Sequence, residues 1–249
     1  MCRHRLGHGS DAPHGVIAPS ADVLQRHLSH GWFTQVPQRE VIPNVLPPTW
    51  PQADASRFQQ HQNTLKFAFV GRLDESKGFD TLLQASAMLI GKPCEIHIGG
   101  VGNDADVAAA QDFIKSKGLS SQVFLHGRVD TAQFLSNKHV LVAPSRARET
   151  FNMVVLEAAA CGLPSIVADR GALPERVGNG KSGWVFPVGD SEALARQMIH
   201  CLSHQQEIRD KSGLALMQAD HSRQTDEIGL WEDFCQRVLA TSETTEAAR

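Results

Sequence analysis

The sequence lacks any basic run of the kind that tracks a phosphate backbone. Its 24 Lys plus Arg stand against 27 Asp plus Glu for a net charge of −3, which argues against a nucleic-acid partner. No stretch approaches the roughly 18 consecutive apolar residues of a membrane-spanning helix. The opening MCRHRLGHGSDAPHG is polar and holds no apolar signal-peptide core. The expectation is a soluble, unsecreted, cytoplasmic chain, with contact at the inner membrane face left open. The cysteines are few and odd in number (Cys2, Cys94, Cys161, Cys201, Cys235) and form no C-x-x-C pair, so they read as reduced thiols, mostly core fillers. Cys2, His4 and His8 make no closed four-ligand set, and no metal is expected.

What is present is a rhythm. From residue 65 a short β-rich apolar run, a Gly-containing turn and an amphipathic stretch alternate, the signature of a parallel α/β sheet. Leu65 to Val70, Cys94 to Ile98, Val123 to His126, Val140 to Ala143 and Ser165 to Ala168 read as strands. Runs such as KFAFV and SIVA are apolar throughout, which implies burial on both faces under helices and a doubly wound architecture. Residues 1–62 differ: one strand-like run at Val16 to Ala18, one helix-like run from Asp22 to Ser29, then the Pro-rich QVPQREVIPNVLPPTWP. They read as a remnant of another domain plus a linker, residues 63–220 as the main domain, and 221–249 as a terminal helix with a frayed tail.

Two segments carry candidate chemistry. RETFNMVVLEAAACGLP, Arg148 to Pro164, opens a helix between Glu149 and Glu157. Eight helical residues span about 12 Å, so these carboxylates are no acid and base placed across one bond. They could instead grip two ends of an elongated ligand, with the backbone N–H groups around Phe151, Asn152 and Met153 offering a helix N-terminus to a diphosphate. The competing reading makes Glu149 a helix cap and Glu157 a solvated charge. GRLDESKG, Gly71 to Gly78, follows the first strand of the main sheet, at the carboxyl edge where open parallel sheets bind ligands. Arg72 and Lys77 could hold phosphate oxygens there; alternatively either one pairs locally with Asp74 or Glu75.

Taken together, GRLDESKG, PS-x3-E-TFNMVVLEAAACGLP-SIVA, GALPERV and GKSGWVFPVGDSEALA resemble the nucleotide-sugar half of the retaining glycosyltransferases of family 4 over about residues 65–203. The resemblance implies a Rossmann-like α/β sheet with helices on both faces, the carboxy-terminal half of a GT-B fold. It implies transfer of a sugar from a nucleotide diphosphate sugar to a hydroxyl acceptor: a glycan, a lipid-linked glycan or a small molecule. No metal or other cofactor is implied. Arg72 and Lys77 would bind the diphosphate, Glu149 the sugar hydroxyls and Glu157 the ribose. Gly71 and Gly100 would let the chain approach the diphosphate, and Gly127, Arg128 and Val129 would lie beside the base. Same-face attack, with a donor phosphate oxygen helping to deprotonate the acceptor, needs no protein nucleophile. Thr150 and Asn152 stand where the family usually has glycine, giving a bulkier and stiffer loop. HGVIAPSADVLQRHLSHGW and VIPNVL resemble the end of the family's first domain and its linker, so acceptor contacts would come from elsewhere, for example a separate chain. The alternative is a catalytically silent nucleotide-sugar binding module.

Four decoys are set aside. Gly100-Val101-Gly102 with Ala105 approximates a dinucleotide fingerprint, but no acidic residue ends the next strand. Gly180-Lys181-Ser182 lacks the upstream glycine of a phosphate loop, having Glu175 there. Asp104 and Asp106 read as a helix start rather than a metal pair, and Ser145 lies in PSR rather than in a G-x-S-x-G nucleophile turn.

Overall fold

The computed structural model describes residues 13–51 and 63–247. The chain forms two compact units, one from the described residues of Met1–Val45 and Thr225–Arg249, the other from Leu46–Gln224. The Cys2, His4 and His8 group lies outside the described residues.

In the smaller unit β1 (Gly15–Ala18) leads through α1 (Ala21–Ser29) to β2 (Gln38–Val41), which pairs with β1 in parallel. Ser20 caps α1, its hydroxyl accepting from Val23 N. The Pro-rich stretch therefore contains a strand. α9 (Glu227–Ala247) packs on this pair, so closely that a Cβ at Gly15 would lie 2.5 Å from Val238. The helix runs to Ala247, through residues where the sequence suggests a frayed tail.

The larger unit is built on β3 (Leu65–Val70), β4 (Cys94–Gly99), β5 (Val123–Leu125), β6 (Val140–Ala143), β7 (Ser165–Ala168) and β8 (Gly183–Phe186). All neighbours are parallel, in the order β5-β4-β3-β6-β7-β8. Its helices are α2 (Phe79–Ala87), α3 (Asp104–Ser116), α4 (Thr131–Leu135), α5 (Met153–Ala160), α6 (Leu173–Arg176), α7 (Ser191–Ser203) and α8 (Gln205–Gln224), which cover both faces. β6 and β7 are buried along their whole length, which is why VLVA and SIVA carry no polar residue beyond Ser165. Phe67, Leu82, Ile96, Ile98, Leu141 and Ile166 are fully buried among the core residues. Asn103 caps α3 ahead of Asp104 and Asp106, as expected of a helix start. Cys94, Cys161 and Cys201 are buried free thiols and Cys235 is exposed. Among the described residues no helix is long and apolar enough to cross a membrane.

The strand order turns back between β3 and β6, because the chain winds outward from β3 through β4 to β5 and then resumes on the other side. At such a reversal the loops leaving the two central strands diverge and open a crevice at the carboxyl edge. Those loops are 71–78, the GRLDESKG segment, and 144–152, which runs into the segment from Arg148 to Pro164.

Candidate functional site

The loop after β3 is held in shape by Asp74. Its carboxylate accepts from the backbone N of Lys77 (3.1 Å) and from Ser76 Oγ, and pairs with Arg72 at 3.0 Å. The Ser76 hydrogen bond, joined by Lys77 N–H and the Arg72 charge, keeps the Asp74 carboxyl below its ordinary range. The loop ends at Gly78, whose φ of +67° starts α2 and whose Cα faces the Pro144 carbonyl so closely that a Cβ would lie 1.9 Å from it. Ala147 N donates to Ser76 O at 2.8 Å. Arg146 adds a clamp, donating to Glu75 at 2.8 Å, to Asp80 and to Thr81. The two loops of the crevice are thus fastened to each other.

Across this seam Lys77 Nζ lies 2.7 Å from Glu149 Oε1, although the residues are 72 positions apart. The same oxygen accepts from Ser145 Oγ at 2.8 Å. Glu149 is 13% exposed and Lys77 28%. Of the two loop cations, Arg72 follows the local alternative by pairing with Asp74 and Ser76, and Lys77 does not. Glu149 does not cap the helix: Asn152 does, at φ +67°, its side chain accepting from Val155 N at 3.3 Å. Asparagine tolerates that backbone better than most residues. Glu157, about one turn into α5, is half-buried, and no hydrogen bond or ion pair of the described residues reaches its carboxylate. Burial raises its pKa.

A recess of about 170 Å³ lies beside this pair, lined by Val70, Gly71, Arg72, Gly100, Val101, Arg128 and Val129. Three strand ends meet there: Gly71 N donates to Gly99 O (3.0 Å), Leu73 N to Val101 O (2.9 Å) and Gly100 N to Gly127 O (2.6 Å). Gly71 joins the recess to the ion pair, since a Cβ on it would stand 3.8 Å from Lys77 Cγ. Thr150 is exposed, and Met153 begins α5. Phe151 points the other way, its ring buried with Leu46, Leu156 and Ala215 and covered by the Arg176 guanidinium at 4.0 Å; only its backbone is available to a ligand. Two residues at this rim carry geometry that the sequence reading gave no role. Gly171, in GALPERV, has φ +60° and no room for a Cβ, which would lie 2.5 Å from Glu149 O, and Ala172 N donates to that same carbonyl at 2.9 Å. Ser145 is the other; its place four residues before Glu149 was its only signal.

Behind the recess runs a polar ladder on the β4–β5 face. His97 Nε2–H donates to Glu95 (2.9 Å), which leaves Nδ1 of the neutral ring to accept from His126 Nε2–H at 3.0 Å. Phe124, Phe134 and Lys138 complete its surroundings. Burial, with the Lys138 charge adding to it, holds both imidazoles below their ordinary range, the Glu95 hydrogen bond opposing this at His97. A histidine depressed in this way adds stability that is complete above its unfolded value, about 6.5, and is lost as pH falls through the folded value. The melting temperature should therefore fall as pH drops below about 6.5, and less steeply in His126→Gln. A variant as pH-sensitive as the parent would contradict the coupling.

The chain is similar in sequence and fold to known proteins. Residues 64–204 match the family model for glycosyl transferases group 1. A phosphatidyl-myo-inositol mannosyltransferase of Propionibacterium freudenreichii subsp. shermanii is 29% identical over 166 residues, 65% of this chain and 41% of its own length. A D-inositol 3-phosphate glycosyltransferase of Mycobacteroides abscessus is 34% identical over 132 residues, 51% of this chain and 30% of its own. The chain thus spans less than half the length of these relatives. Among solved structures, Anabaena HepE in complex with UDP-glucose superposes with a TM-score of 0.73 at 22% identity, over 94% of this chain and 65% of that one. Sucrose-phosphate synthase from Thermosynechococcus elongatus does so with 0.70 at 23%, over 94% and 59%.

Proposed function

The chain belongs to the glycosyl transferases group 1 family, and from that premise we propose that it supplies the donor-binding half of a retaining glycosyltransferase of family 4, delivering a sugar from a nucleotide diphosphate sugar to a hydroxyl acceptor. The observation that carries the proposal is the 2.7 Å contact between Lys77 and Glu149 across the point where the strand order reverses. It sets a cation for a diphosphate against a carboxylate for a sugar.

In this reading Lys77 and Arg72 neutralise the charge that grows on the departing diphosphate as the glycosidic bond breaks. Arg72 is 67% exposed and bound only to its own loop, and such surface pairs are worth about 0–1 kcal/mol, so it is cheaply released to a phosphate. Gly71 and Gly100 let the diphosphate lie against bare backbone, and the first turn of α5, from Asn152 and Met153, offers N–H groups to it. Arg128 and Val129, following Gly127, border the base. Glu149 accepts from sugar hydroxyls, within reach of Thr150. Glu157, a half-buried carboxylate awaiting donors, accepts from the ribose. A donor phosphate oxygen takes the acceptor's proton on the same face, with no protein nucleophile and no metal ion. The acceptor is a glycan, a lipid-linked glycan or a small molecule, held by residues outside this site or by a separate chain. The proposal places the reaction in the cytoplasm, peripheral to the inner membrane face where the acceptor is lipid-linked.

Calorimetric titration with UDP, GDP and ADP tests it. One of the three should bind with a dissociation constant of roughly 1 µM to 1 mM, equally well in EDTA. Failure of all three to bind, or saturable binding of NADH in their place, would overturn the donor site.

A further inference from the structure

Glu149 has exposed neighbours, Ala147, Arg148 and Thr150 all being open to solvent, yet its own side chain is only 13% exposed. Something must hold it. Lys77 is one holder, but in the reading above Lys77 also serves the diphosphate, and an ammonium shared with a phosphate is a poor anchor for a carboxylate. The other is Ser145. That residue is 3% exposed and directly follows the buried strand β6 and Pro144, whose ring fixes φ. Its successor Arg146 is tied to Glu75, Asp80 and Thr81 on the opposite side of the seam. The Ser145 hydroxyl is thus mounted on rigid backbone and aimed at Glu149 Oε1 at 2.8 Å. Both donors reach the same oxygen, and no hydrogen bond of the described residues falls on Oε2.

We infer that Ser145 is a positioning residue: its hydroxyl turns the Glu149 carboxylate so that Oε1 stays within the protein and Oε2 is presented to a donor-sugar hydroxyl. Lys77 can then move toward the diphosphate without releasing Glu149. Lys77 donates from an ammonium on a flexible four-carbon stem, whereas the Ser145 hydroxyl is short and mounted on fixed backbone, and a carboxylate that must accept from one hydroxyl in one direction needs the latter. The inference rests on the donor-site reading, and it separates two contributions to affinity, one from the diphosphate and one from the sugar.

The test compares UDP, GDP and ADP with their glucose and mannose conjugates, taking as readout the ratio of dissociation constants between each diphosphate and its best conjugate. In the parent chain one conjugate should bind more tightly than its diphosphate. Ser145→Ala should leave the diphosphate constant within about twofold and reduce the gain from the sugar about tenfold, close to the effect of Glu149→Gln. Ser145→Thr, which keeps the hydroxyl, should restore it. If Ser145→Ala folds poorly, Ser145→Cys, close in shape and a weak donor, should show the same loss. Ser145→Ala or Ser145→Cys keeping the sugar's gain while Glu149→Gln loses it would overturn the inference and leave the donor site standing. Equal weakening of diphosphate and conjugate would mark Ser145 as merely structural. A parent chain that binds no diphosphate would instead overturn the donor site itself, and one that gains nothing from either sugar would remove the grip of Glu149 and the role of Ser145 with it.

Discussion

Gly100→Ala is expected to cost about 2–5 kcal/mol of stability and to abolish measurable nucleoside diphosphate binding. Gly100 has φ +146°, and an added Cβ would lie 1.7 Å from the carbonyl oxygen of Gly71. That neighbour is backbone, so no side chain can swing aside. Relief requires the loop after β3 to move away from the loop after β4, and this breaks the bonds from Gly71 N to Gly99 O and from Leu73 N to Val101 O. The same two loops line the recess and carry Arg72. Gly118→Ala is the control: φ is positive there as well, at +67°, but nothing lies within 4 Å of the new Cβ, so only the left-handed backbone is penalised, by about 1–2 kcal/mol. Urea denaturation of both variants checks the difference through the midpoint at unchanged slope. If Gly100→Ala were no less stable than Gly118→Ala, the close approach of these loops would be wrong.

The sheet that positions these loops could be read from the chain because its strands are buried on both faces and written almost wholly in apolar residues. LKFAFV, VLVA and SIVA fall where the structure has β3, β6 and β7. Two strands escaped notice for opposite reasons. β8, GWVF, follows the strained backbone at Gly178–Gly180 and reads as a continuing turn, whereas β2, QREV, is polar and flanked by prolines and gains its form from pairing with β1. The 20-residue helix α8 was invisible because it buries Gln205, Ser212, Ala215 and Ala219 with a single Ile208, which leaves no apolar stripe for periodicity to find. At the site, the residue types were legible and the pairing was not. GRLDESKG offers Lys77 two nearer carboxylates, Asp74 and Glu75. Asp74 is occupied by Arg72 and Ser76, and Glu75 by Arg146, so the three-dimensional path leaves Glu149 to Lys77. The histidine ladder is a matter of register alone, since His97 and His126 come together only because Ile98 pairs with Leu125 at the sheet edge.

Lys77→Ala should weaken nucleoside diphosphate binding by about tenfold to a hundredfold, the range for a charge-assisted hydrogen bond lost from a partly buried site. The effect should come from the missing charge and not from a collapsed loop. The turn that carries Lys77 is fixed by Asp74 through the Lys77 backbone N–H, which alanine retains, and Gly78 keeps its place against Pro144. Two measurements separate charge from shape. The parent's affinity should fall as ionic strength rises, because the Debye length shrinks from about 10 Å at 0.1 M salt to 3 Å at 1 M, and the variant's should fall less. The variant also strands the Glu149 carboxylate with Ser145 as its one remaining donor, so its melting temperature should drop modestly, and adding Glu149→Gln should recover part of that drop by removing the unpaired charge. Lys77→Arg is expected to lie between parent and alanine, since it keeps the charge but replaces a compact ammonium with a planar fork. If Lys77→Ala bound UDP, GDP and ADP as the parent does, across the same range of salt, the contact between Lys77 and Glu149 would be an ordinary structural ion pair and the donor site would lie elsewhere on the sheet.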